Sequence, residues 1–169
     1  YVSCAVGGSG CATAVSALLA LAERGLAHAT LAVRDPARAG ATVAAVGRHA
    51  RPPEVTVIPL AGLEAVTVDS TVDVVVSTIP VAAQTGAVLR AVRGVPVVFD
   101  VVYDPWPTPL SEQATADGRT VVSGLDLLLW QAVDQVRAMT GRFDVPVDAM
   151  RRAGEAGLAE RRPGPPSAG

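Results

Sequence analysis

Short apolar runs alternate with helix-period patterns along almost the whole chain, and this alternation restricts the fold more than any other feature. Val2 to Val6 is an apolar run closed by Gly7, Gly8, Ser9 and Gly10. A helical pattern follows, with Val15, Leu18, Leu19 and Ala22 spaced i, i+3, i+4, i+7, and Gly25 stands just past its end. Thr30 to Val33 reads as a second strand. Asp35-Pro36 then supplies an N-cap and a proline at the first helical position. Ala39, Val43 and Val46 form the next inward stripe, which Gly47 stops. Glu54 to Ile58 alternates like a strand, and Val72 to Ser77 is continuously apolar, as a strand covered on both faces should be.

The second half repeats the scheme. Val81 to Val92 reads as a helix with Val88, Leu89 and Val92 inward, and Pro96 to Val101 as a buried strand. Tyr103 to Pro109 is a proline-rich loop, and Thr108-Pro109 opens a short helix. Arg119 to Val122 is a last strand. Leu125 to Thr140 is the most apolar helix, with Leu125, Leu128, Ala132, Val136 and Met139 on one stripe. Asp148 to Glu160 reads as a final helix, and the end from Arg161 to Gly169 as a disordered tail. Only Leu60 to Ser70 gives no clear pattern. Strands alternating with helices imply an α/β domain with a parallel sheet. About six strands with helices on both faces fit a doubly wound sheet of Rossmann type, over residues 1–150, followed by a helical end and tail at 151–169.

Composition narrows the function. The 169 residues carry a formal net charge of -2 and no basic run, which argues against nucleic acid and anionic membrane as partners. No apolar run reaches the roughly 18 residues of a membrane span. No signal peptide is visible, so the expected compartment is the cytoplasm. Tyr1 to Val6 reads as a strand already under way, which suggests a chain whose beginning is not included. All 14 basic residues are arginine, so no lysine of this chain can serve as acid, base or Schiff-base former. Cys4 and Cys11 match neither a disulfide framework nor a metal-ligand set, and no metal site is expected.

The first strand-to-helix turn is the strongest local signal. A phosphate site there needs glycines for the tight turn and the close approach, and a helix N-terminus to face the anion. Gly7, Gly8, Ser9 and Gly10 stand in that context, although Ala5 occupies the first glycine position of G-x-G-x-x-G. The end of the second strand selects the cofactor. A carboxylate there suits the ribose 2′-OH of NAD, and an arginine the 2′-phosphate of NADP. Asp35 is already explained as a cap, whereas Arg34 and Arg38 have no local duty. The pair therefore favours NADP, with NAD through Asp35 as the alternative.

The segment Asp100-Val101-Val102-Tyr103-Asp104-Pro105, with Thr108-Pro109-Leu110, Ser123-Gly124-Leu125-Asp126-Leu127-Leu128, Gln131-Ala132 and Thr140-Gly141, resembles the C-terminal half of shikimate dehydrogenases. Arg34 and Arg38 resemble the basic stretch after the family's second strand, and Thr78-Ile79-Pro80 its Thr-Pro segment. The resemblance implies NADP-dependent reduction of 3-dehydroshikimate to shikimate in aromatic amino-acid biosynthesis. It implies cofactor contacts at Gly7, Gly8, Ser9, Gly10, Arg34, Arg38, Thr78 and Ile79. Val101, Gly124 and Leu127 would lie at the nicotinamide, and Tyr103 and Gln131 at the substrate. The family's catalytic Lys and Asp belong to an N-terminal domain, so no catalytic residue is expected here.

The chain departs from the family pattern at Asp126, where a glycine is usual, and at Leu127, where a methionine is. Both bear on the nicotinamide side. His28 and His49 read as solvated loop residues, and Asp100 as a strand-end aspartate bonding loop N–H groups. A quinate-type dehydrogenase and a non-catalytic nucleotide-binding module are the competing readings. The oligomeric state is open, a homodimer included.

Overall fold

The computed structural model describes residues 2–5, 11–65 and 72–161. Two compact units divide the chain, 1–123 and 124–169. The first holds strands β1 (Val2–Ala5), β2 (His28–Val33), β3 (Glu54–Pro59), β4 (Val74–Ser77), β5 (Val97–Asp100) and β6 (Thr120–Ser123). Its helices are α1 (Cys11–Glu23), α2 (Gly40–Val46), α3 (Gly86–Ala91) and α4 (Pro109–Ala116). The strands form one parallel sheet in the order β3-β2-β1-β4-β5-β6. The expected α/β class with a parallel sheet is what the chain adopts.

Alternation along the central strands builds two cores. Leu31 and Val33 of β2 and Val76 of β4 pack with Ala14 and Leu18 of α1 and Val46 of α2. Ala32, Val75 and Val98 point to the other face and pack with Val88 of α3 and Leu110 and Ala114 of α4. Burial on both faces explains why these strands are apolar runs rather than alternating ones.

Two helix ends follow from glycine. Gly25 has φ +90°, and the N–H groups of Gly25 and Leu26 bond the carbonyls of Ala22 and Leu21 at 3.0 Å each. Gly118, at φ +71°, closes α4 in the same way, with Arg119 N–H on Ala114 O at 2.9 Å. The amino edge beside it is tied by Arg119, whose guanidinium donates to Val92 O at 2.9 Å and Val95 O at 3.4 Å.

Three expectations need correction. Val81 to Val92 is not one helix. A 3-10 turn over Val81–Ala83 stops at Gln84, and α3 starts anew with Thr85 as its N-cap, accepting from Val88 N at 3.5 Å. In α2 Ala39 and Val46 are buried as expected, but Thr42 rather than Val43 lies between them, since the i+3 and i+4 positions both border that helical face. His28 lies in a strand rather than a loop, and pairs across the register with Glu54 at 3.2 Å.

The second unit contains α5 (Gly124–Thr140) and α6 (Val147–Arg161). The inward residues of α5 are Leu129 and Val133, while Leu128 is 41% and Met139 84% exposed. The expected stripe was therefore misphased at those two positions. Leucines at 125, 127, 128 and 129 fit more than one helical phase. Trp130 is exposed as well.

His49 ties the end of α1 to the segment before β3. Its Nε2 lies 2.8 Å from Glu23 Oε1, and its Nδ1 contacts the backbone of Arg51. The Glu23 hydrogen bond, followed by the Arg51 backbone, raises the imidazole pKa above 6.5; the His49 hydrogen bond lowers that of Glu23 below 4.5. The His49 part is fully present below pH 6.5 and is lost as pH rises through the folded value. The Glu23 part is present above pH 4.5 and is lost as pH falls through its folded value. The stability difference between wild type and His49→Gln is therefore expected to peak between these limits in urea melts run across pH. A flat difference would exclude the pair as the cause.

Candidate functional site

All strands of the first unit are parallel, so their carboxyl ends share one edge. The chain passes from β1 outward to β2 and β3, then returns to place β4 on the other side of β1. Ala5 ends β1 opposite Ser77, which ends β4. Open α/β sheets bind ligands outside the carboxyl ends at such a reversal of strand order.

Each strand end offers a different chemistry. Gly7, Gly8, Ser9 and Gly10, after β1, lie outside the described residues. After β2, Arg34 and Arg38 are exposed, and neither guanidinium makes an ion pair or hydrogen bond among the described residues. Asp35 between them is committed: its Oδ1 accepts from Ala37 N at 3.1 Å, capping the 3-10 turn at Pro36. This leaves two cations and one turned carboxylate at the edge, a donor set that fits a phosphate monoester. After β4, Ser77 is buried and its Oγ has no partner among the described residues. Thr78 is half-buried, and Ile79 packs its side chain into the core, so its contacts at the edge are those of its backbone.

After β5 comes the most elaborate segment. Asp100 is fully buried, Val101 is half-buried with its N–H on Ser77 O at 3.0 Å, and Tyr103 is exposed. The Asp104-Pro105 and Trp106-Pro107 peptides are cis, and Trp106 is half-buried. Asp100 accepts from Val102 N, as expected of a strand-end aspartate, and from two side chains that sequence reading did not connect to it.

In the second unit, Gly124 is buried at the start of α5, Leu127 is half-buried and Gln131 is exposed. Asp126 bonds Arg151 of α6 at 2.7 Å. Beside this pair a Cβ on Gly154 would come 3.2 Å from Leu125 Cδ1, so the two helices approach closely there.

Comparison with known proteins addresses the same segments. Residues 124–153 match the model of the shikimate 5′-dehydrogenase C-terminal domain. Shikimate dehydrogenase (NADP(+)) of Dinoroseobacter shibae is 37% identical over 129 residues, which are 75% of this chain and 44% of that protein. The crystal structure of Mycobacterium tuberculosis shikimate dehydrogenase superposes with a TM-score of 0.74 at 34% identity, covering 92% of this chain and 55% of that one.

The chain belongs to the shikimate dehydrogenase family.

It spans about half the length of these two relatives. Quinate dehydrogenase from Corynebacterium glutamicum, solved in complex with NAD, is similar too, with a TM-score of 0.70 at 31% identity over 92% of this chain and 54% of that one. Within this member of the shikimate dehydrogenase family, Asp126 has a local explanation: its carboxylate is engaged by Arg151 within the helical pair. Gln84 is the residue that sequence reading missed. It is an amide in an otherwise apolar stretch, directly before the cap Thr85, and that combination was the available signal.

Proposed function

We propose that the chain is the cofactor-binding part of an NADP-dependent shikimate dehydrogenase, built on a doubly wound Rossmann-type sheet. The observation that carries the reading is the end of β2, where Arg34 and Arg38 are exposed and unpaired among the described residues while Asp35 is used as a cap. The strand order agrees with that of dinucleotide-binding sheets. Arg34 and Arg38 would hold the 2′-phosphate, and the turn at Gly7, Gly8, Ser9 and Gly10 the pyrophosphate. Thr78 and the backbone of Ile79 would border the cofactor at the switch point, with Val101 beside the nicotinamide. When bound, NADPH would supply the hydride that, with a proton, reduces the ketone of 3-dehydroshikimate to the hydroxyl of shikimate, leaving NADP(+). Tyr103 would offer its phenol to a substrate hydroxyl. Gly124 and Leu127 keep the cofactor role, and Gln131 the substrate role, that the family resemblance implies for them.

A second reading, a quinate dehydrogenase using NAD, is favoured by the Corynebacterium likeness and by Asp35 at the end of β2. The test is steady-state assay of the full-length protein with shikimate and quinate against each cofactor. Shikimate-dependent reduction of NADP with the highest kcat/KM is expected. Preference for quinate with NAD would install the second reading, and no oxidation of either substrate would sink both.

A further inference from the structure

One buried carboxylate fastens both ends of the loop that carries Tyr103. Asp100 Oδ1 accepts from Val102 N at 3.3 Å, at the loop's start. Its Oδ2 accepts from Thr108 Oγ1 at 2.6 Å, at the loop's end, and from Gln84 Nε2 at 2.8 Å. Gln84 Oε1 accepts in turn from Leu110 N at 3.0 Å, in the first turn of α4. Thr108 also caps that helix, accepting from Ser111 N at 3.1 Å while its own N–H donates to Ser111 Oγ at 2.8 Å. Gln84, Asp100, Thr108 and Ser111 are each at least 95% buried, whereas Tyr103 is 39% exposed. Asp100 makes no ion pair among the described residues, so these neutral donors are what satisfies it. A network of this kind is rigid only while every member is paired.

We infer that Asp100 and Gln84 are positioning residues, which hold the segment from Val101 to Thr108 ordered so that Tyr103 meets the substrate without a prior ordering step. The inference rests on the proposed function for the identity of that substrate. A loose loop must lose its freedom when substrate binds, which weakens substrate binding. The proposed cofactor contacts lie on other segments except Val101, whose N–H bond to Ser77 O at 3.0 Å holds it independently of the Asp100 carboxylate. Asp100→Asn turns one acceptor into a donor facing donors, while Gln84→Met removes the amide at nearly constant volume and keeps Asp100 bonded to Val102 and Thr108. The double variant Asp100→Asn with Gln84→Glu exchanges the amide and the carboxylate and restores a complementary pair.

The experiment uses the full-length protein and reads the KM for shikimate, the Kd for NADP, and deuterium exchange of residues 101–108. Both single variants are expected to raise the shikimate KM on the order of tenfold, leave the NADP Kd unchanged, and speed exchange in that segment. The double variant is expected to recover a large part of both effects. Unchanged exchange in the single variants overturns the inference. So does an equal loss for substrate and cofactor, or a double variant worse than either single. If Asp100→Asn fails to fold, Gln84→Met decides alone. If wild type oxidises no shikimate, the functional reading fails and the substrate role falls with it, whereas exchange at 101–108 still decides whether the two residues order the loop.

Discussion

Arg34→Ala is expected to weaken NADP binding by roughly 10- to 150-fold and to leave NAD binding almost unchanged, as measured by titration calorimetry of both cofactors. The range follows from a charge-assisted hydrogen bond of about 1.5–3 kcal/mol to a group that only NADP carries. Arg34 is exposed and has no partner among the described residues, so removing it leaves no buried group unsatisfied and confounds the result little. Asp35→Asn is the companion measurement. The Asp35 carboxylate caps Ala37, and asparagine caps as well, so the variant removes a charge beside the proposed phosphate while keeping the local geometry. NADP affinity should stay equal or improve. If Arg34→Ala weakens NAD as much as NADP, or if Asp35→Asn selectively destroys NAD binding, the carboxylate is the ribose ligand and the cofactor assignment is wrong.

Leu31→Ala is expected to destabilise the protein by about 2–5 kcal/mol, read as a lower urea midpoint with an unchanged slope. Leu31 is fully buried in β2, between the neighbouring strands β1 and β3, in the core that α1 and α2 cover. The loss combines the transfer of the missing methyl and methylene groups with the cavity they leave, in a site walled by Leu18 and Val46 that also have nowhere to move. Val57→Ala, on the neighbouring strand and only half-buried, should cost less. A Leu31→Ala loss below about 1 kcal/mol would mean that the core is not packed as described.

What the sequence reveals here is mostly local. Asp35-Pro36, Gly25 and Thr108-Pro109 each carry their own chemistry, and each ends or starts an element where expected. The α/β class follows from the period of the apolar residues alone. What stays hidden depends on partners distant along the chain. Nothing local to Gln84 says that its amide reaches Asp100 and Leu110, and an apolar spacing that continues through it suggests one helix instead of two pieces. The phase of α5 is hidden for the opposite reason, since leucines at four of five consecutive positions fit several faces equally well. At the candidate site, Arg34 and Arg38 are legible because they lack a local duty. The reading of Gly7, Gly8, Ser9 and Gly10 as a phosphate turn falls outside the described residues. Tyr103 is marked by its place just past a buried strand and Gln131 by interrupting an apolar stretch, but an exposed tyrosine in a loop or glutamine on a helix is ordinary, and their substrate role comes from the family resemblance.

The two tryptophans give the protein a built-in optical probe. Trp130 is exposed on α5, so its emission should be red-shifted and open to collisional quenchers such as iodide. Trp106 is half-buried inside the segment fastened at Val102 and Thr108, three residues from Tyr103. With Trp130→Phe, Trp106 is the indole left within these 169 residues, and it reports on that segment. Release of the Asp100 bonds would then appear as a red shift and faster quenching in a cuvette, without any substrate, and titrating shikimate would show whether binding restores the shielded spectrum.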